Sequence, residues 1–99
     1  MSRFASTKLR DIDLGDGDII RIPVSLSYKQ VLALTSHSTE AEISKAMLIE
    51  CIREWNLKDD DGNDVPVTEE NIMNLKIDVI QIVTNELLPL LDNKQDKKK

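Results

Sequence analysis

Trp55-Asn56-Leu57-Lys58-Asp59-Asp60-Asp61-Gly62-Asn63-Asp64-Val65-Pro66-Val67-Thr68-Glu69-Glu70-Asn71 is the stretch on which the fold turns. One apolar helix runs into it and another leaves it. Its middle is turn chemistry: Asp and Asn side chains bond their own backbone, and Gly62 permits a left-handed residue. Its end is capping chemistry. Thr68 is placed to accept amide protons, and Glu69 and Glu70 stand at the positive end of a helix dipole. Val65 and Val67 around Pro66 read as a rigid extended segment across the base of a helical bundle. Nothing in the stretch is catalytic, and it directs the reading toward an interaction protein.

Working upstream, Thr39-Glu40-Ala41-Glu42 has the spacing of a capping box and opens a helix from Glu40 to about Glu54. At 100° per residue Ala41, Met47, Leu48, Cys51, Ile52 and Trp55 share one broad face, while Glu42, Glu50, Arg53 and Glu54 share the other. Ile43 and Ala46 stray onto the charged face, as ordinary surface apolars or as part of a partner contact. Trp55, followed by Leu57, reads as the anchor locking this helix to the last one. Before it, Ser27-Tyr28-Lys29-Gln30 is another capping box, predicting a short helix from Tyr28 to Thr35 that buries Val31, Leu32 and Leu34.

The start of the chain has strand periodicity. Arg10, Ile12 and Leu14 alternate with Asp11 and Asp13. Gly15-Asp16-Gly17-Asp18 supplies a turn, and Ile19-Ile20-Arg21-Ile22 returns to Pro23. A β-hairpin over Leu9–Val24 follows, with residues 1–8 as a flexible start. Downstream, apolar residues continue from Ile72 to Leu91. A break near Lys76-Ile77, with Asp78 as cap, predicts a short helix and then a longer one from Val79 to about Leu88. Pro89 is expected to disturb its last turn. Asp92–Lys99 has no apolar residue and reads as a disordered, lysine-rich tail. The expected fold is mostly α: one small helical domain over 9–91 with an N-terminal β-hairpin. Its expected core is Leu32, Leu48, Ile52, Trp55, Ile72, Val79, Val83 and Leu87.

Ninety-nine residues, 40% hydrophobic and 31% charged, bound one modest core. Aromatics at 3% leave no stacking platforms for single-stranded nucleic acid. The tail carries Lys94, Lys97, Lys98 and Lys99 against Asp92 and Asp96, a local +2 on a chain of −5, which leaves −7 on the body through Leu91. Such a body repels phosphate backbones, so no nucleic-acid partner is expected; it suits a basic or apolar protein partner, or simply solubility. Cys51 is the only cysteine, so an intrachain disulfide is impossible and a reducing cytoplasm fits. No secretory opening and no membrane-length apolar run is present, so cytoplasmic location is expected.

Catalytic and cofactor chemistry is missing from the pattern. One His and one Cys cannot build a zinc site of usual composition, and Cys51 falls on the buried helix face. There is no Gly-x-Ser-x-Gly elbow and no glycine-rich phosphate loop. The acidic run Asp59–Asp64 invites a calcium reading, but the spacing fails. With Gly62 as the required loop glycine, an EF-hand would begin at Leu57 and end at Thr68, where carboxylates are needed. The expectation is no enzyme, no cofactor and no metal.

The whole arrangement over residues 9–91 resembles the short tail assembly chaperones of long-tailed bacteriophages. The resemblance runs from the β-ribbon, through the short helix opening at Leu26-Ser27 and the helix ending in Trp55-Asn56-Leu57, to the Asp/Gly turn. Val65-Pro66-Val67-Thr68-Glu69-Glu70-Asn71-Ile72 and a last apolar helix complete it. The sharpest part is Trp55 to Ile72. In that family a proline often follows the leucine after the post-threonine turn; here Leu75 is followed by Lys76. The resemblance implies a protein that coats the apolar tape measure protein in the host cytoplasm and helps recruit the tail tube protein. It also implies a minority frameshifted product. The closing Lys97-Lys98-Lys99 suits slippage on an adenine run, or is a plain solubilising tail. Apolar residues exceed what one small core hides, notably Ile43, Ala46, Ile77, Leu88, Leu90 and Leu91. The exposed part of that set is the expected contact with the tape measure protein and with other copies, in weak homo-oligomers. The alternative is a small acidic helical adaptor or regulatory domain unrelated to phage tails. An enzyme using surface carboxylates is a third reading.

Overall fold

A computed structural model describes residues 3–91. The elements in order are β1 (Leu9–Gly15), β2 (Asp18–Pro23), α1 (Tyr28–Thr35), α2 (Glu40–Cys51), β3 (Glu54–Trp55), α3 (Glu69–Met73) and α4 (Ile77–Leu91). This is the expected helical domain with an N-terminal hairpin, extended by a short third strand in the order β1-β2-β3. The lysine-bearing tail, Asp92–Lys99, lies outside the described residues.

The hairpin forms where the glycines are. Asp16 and Gly17 both have positive φ, 57° and 84°, as the favoured two-residue hairpin turn requires. Just before it the register slips by one residue between Asp13 and Gly15. Ile12 pairs with Ile20 and Arg10 with Ile22, so these side chains share one face; Ile12, Ile20 and Ile22 are buried there. The outer face carries Asp11 and Arg21, paired across the strands. Arg21 donates to Asp11 and to Glu54, both at 2.9 Å. The amide of Val24 donates to the carbonyl of Lys8, which sets the alternation: Leu9–Pro23, Asp11–Arg21 and Asp13–Ile19 are non-hydrogen-bonded pairs. Pro23 therefore sits where no amide proton is needed toward β1. Of the segment expected to be a loose start, Ser6 is tied to Ser25 Oγ through its amide, and Lys8 to Ser6 Oγ.

Both early caps form. Ser27 and Gln30 make the reciprocal box at the head of α1. At α2 only the hydroxyl half forms: Thr39 Oγ1 accepts from the Glu42 amide at 3.1 Å, while the Glu42 carboxylate takes the Ser38 hydroxyl instead.

The main difference from expectation lies after α2. The helix ends at Cys51, not near Glu54, and Ile52 is already extended (φ −76°, ψ 114°). The reason is an open edge on β2. The Arg53 amide donates to the Arg21 carbonyl, and Trp55 pairs with Ile20 and Glu54 with Arg21. Asn56 then finishes the edge. Its amide donates to the Ile19 carbonyl, its side-chain oxygen accepts from the Ile19 amide, and its side-chain nitrogen donates to the Gly17 carbonyl. Trp55 is thus a strand residue on the inner face, half-buried, with its indole N–H on the carbonyl of Val65.

Beyond it the acidic run is the turn the sequence predicts. Asp59 Oδ1 accepts from the amides of Asp61 and Asn63, both at 2.9 Å, and Gly62 has φ 82°. Thr68 caps α3 through the Asn71 amide, and Asn71 Nδ2 returns to the Pro66 carbonyl. The break before α4 falls at residues 74–76. Asp78 lies inside the first turn of α4 and not at its cap, since the Ile80 amide reaches back to the Lys76 carbonyl. Pro89 does not end α4 at Leu88; the helix runs to Leu91. The carbonyl left without a donor is that of the exposed Asn85, which water can satisfy.

The core is Ile12, Ile20, Ile22, Leu34, Met47, Leu48, Cys51, Ile52, Ile72, Val83 and Leu87. Three expected members are displaced: Trp55 and Val79 are only partly buried against the core, and Leu32 is 51% exposed because Leu34 takes the inward face of α1. Ile20→Ala should therefore cost about 2–5 kcal/mol in chemical denaturation, and Leu32→Ala less than about 0.5 kcal/mol. Comparable losses would place Leu32 in the core after all.

Candidate protein-binding surfaces

The six apolar residues singled out in the sequence fall into two groups. Leu90 and Leu91 at the end of α4, and Ala46 on α2, pack partly against the core. Ile43 is half-buried on α2. Ile77 (72% exposed) and Leu88 (49%) are open. These two lie eleven residues apart on α4, nearly in line and about 16 Å along the axis. The turns between them expose Gln81. The set does not form one continuous patch.

Residues that the sequence did not nominate complete a surface near Ile77. Met73, at the end of α3, is 53% exposed. It borders a furrow of about 270 Å³ between α2, α3 and α4, lined by Ala41, Ser44, Lys45, Leu48, Ile72 and Ile80. Ile80 is one helical turn from Ile77, so the furrow and the exposed Ile77 adjoin. No signal in the sequence singles out Met73; it ends α3, and residues 74–76 separate it from α4.

Another depression, about 500 Å³, lies between α1 and α2 on a different flank of α2. Ala46 lines it, with Ala33, Leu34 and Ile49. The two depressions explain why α2 carries apolar residues on so many sides: it is a wall of both.

The acidic turn holds its Asp59 and Asp64 carboxylates through backbone amides and a lysine. One oxygen of Asp59 is held by two backbone amides, and Asp64 is held below the usual carboxylate range by its hydrogen bond and charge from Lys58. Among the described residues no three His, Cys, Asp or Glu side chains gather as a metal site. No described helix is long and apolar enough to cross a membrane. Comparison of the chain with known protein families, curated proteins and solved structures gives no match.

Cys51 is fully buried, and burial, seconded by the Glu50 carboxylate, pushes its thiol up to about 11. A folded-state value above the unfolded one stabilises the fold below the unfolded value. That contribution is lost as pH rises between about 9 and about 11. Two outcomes follow. Cys51 in native protein should resist a thiol-specific disulfide reagent at pH 8 and react at once in denaturant. Stability should fall across pH 9–11 more steeply than in a Cys51→Ala variant. Fast labelling of the native protein would contradict the buried placement.

Proposed function

We propose that the protein is a non-catalytic assembly chaperone. In this reading it binds and solubilises the long, helical tape measure protein of a phage tail in the host cytoplasm and helps recruit the tail tube protein. The observation that carries the reading is the α2–α3–α4 furrow with Met73 and Ile77 exposed beside it. A single apolar furrow bordered by helices is a receptor for the apolar stripe of another helix. The acidic body around it keeps the chain soluble while that surface is empty. The order of elements supports the same reading: ribbon, short helix, long helix, Trp55, Asp/Gly turn and Val-Pro-Val-Thr-Glu-Glu helix start are the features on which the resemblance to tail assembly chaperones rests.

Binding through this furrow explains why a chaperone of this kind would be displaced. The furrow is short, Ile77 and Leu88 are separated, and many copies would each hold one short piece of a long partner. Affinity per copy is then low and occupancy depends on concentration.

The test uses the exposed positions, since Leu90 packs on the core and its substitution by Glu would report on folding. Met73→Glu combined with Ile77→Glu should leave the melting temperature within about 4 °C of the parent. It should also abolish co-purification with a co-expressed tape measure protein. Leu88→Glu alone reports whether the contact extends along α4. Full retention of the partner by the folded double variant would move the binding face elsewhere.

A further inference from the structure

We infer that the groove between α1 and α2 is a second docking site, for a short amphipathic helix carrying lysine or arginine on both sides of an apolar ridge. The groove exists because small residues face each other across it. Ala33 on α1 and Ala46 on α2 have nothing beyond Cβ to fill the space, and Leu34 and Ile49 complete an apolar floor. From Glu42 to Glu50 the α2 wall runs about 12 Å, the length of two helical turns.

The rim decides the occupant. Glu42, Glu50 and Glu69 border the groove, with Lys45 the only lysine or arginine there. None of these carboxylates is held in a short charged pair. Glu69 meets Lys45 at 3.4 Å and Glu50 meets Arg53 at 3.5 Å, while Glu42 takes only a hydroxyl from Ser38 at 3.3 Å. Charge-assisted bonds close to about 2.7–2.9 Å. The contrast is on the outer face of the sheet, where Arg21 holds both Asp11 and Glu54 at 2.9 Å. The rim carboxylates are therefore free to exchange their loose contacts for cations brought by a ligand. A fully polar cation would leave the alanine floor wet, and an anionic helix would be repelled.

Among the described residues no helix of a second copy fits. Its α3 and α4 carry no lysine or arginine, α1 carries only Lys29, and α2 only Lys45. The occupant is a segment of another protein with both features, apolar at every third or fourth position and basic beside them.

The test needs no natural partner and so stands apart from the furrow reading. A fluorescent synthetic helix of about 14 residues, leucine on one face and lysine flanking it, is titrated with the protein and followed by anisotropy. An otherwise identical peptide with glutamate for lysine is the reference. The lysine peptide should bind and weaken with added salt, and the glutamate peptide should not bind. Ala33→Leu fills the groove from an exposed position and should weaken binding on the order of tenfold without loss of stability, as should Glu42→Lys with Glu50→Lys. Asp60→Lys with Asp61→Lys, in the distant turn, makes the same change in net charge and should leave affinity within about twofold. Equal losses from the two charge reversals would reduce the effect to general attraction and overturn the site. So would unchanged binding in Ala33→Leu. Sedimentation showing a dimer that Ala33→Leu dissociates would assign the groove to a second copy and overturn the proposal as well.

Discussion

The pairing of residues 53–56 with the open edge of β2 is the constraint on which the rest of the architecture depends. It ends α2 at Cys51, brings Ile52 into the core and turns Trp55 onto the inner face of the sheet. Trp55 then reaches the carbonyl of Val65 across the base of the acidic turn, so the two sides of that excursion leave and return together. Thr68 follows three residues later and fixes where α3 begins. The Arg10 guanidinium closes the circuit from the other edge, bonding the Glu86 carboxylate at 2.8 Å and its carbonyl. A two-stranded ribbon is marginal alone; three strands with helices on one face are not.

The parts of this fold that were legible in the sequence rest on local chemistry. Gly15-Asp16-Gly17 announces its turn because positive φ is cheap only for glycine and a few short polar residues. Ser27, Thr39 and Thr68 announce their helices because a hydroxyl before an apolar run has few other uses. Long-range effects were not legible. Glu54 and Trp55 have helical periodicity with the residues before them, and only the empty edge of β2, thirty-odd residues away, makes extension preferable. Leu32 and Leu34 differ by two positions on one short helix, and which of them turns inward depends on α2, which meets that helix only in the folded chain. The candidate surfaces were half legible for the same reason. An excess of apolar residues is visible in composition, but Met73 and Ile77 become a surface only through the break that separates α3 from α4.

α2 has the largest role in what the molecule can bind. It supplies Met47, Leu48 and Cys51 to the core, walls two depressions on separate flanks, and still leaves Ile43 half-exposed. A helix with one function concentrates its apolar residues in one stripe. This one distributes them over the core and the walls of two depressions. The furrow toward α4 is nearly uncharged and the groove toward α1 is rimmed with carboxylates, so the two would select chemically different segments of a partner.

The outward backbone groups of β1 belong to Leu9, Asp11 and Asp13, the residues not bonded to β2. The same residues place their side chains on the outer face. Suppose two copies approached edge to edge about a two-fold axis. Every register with extensive overlap would then set Asp11 against Asp11, Asp11 against Asp13, or Asp13 against Asp13. Like charges directly opposed on neighbouring strands repel, so the exposed edge rejects its own kind. Even at high local concentration, such molecules can sit side by side without their sheets fusing into a continuous ribbon.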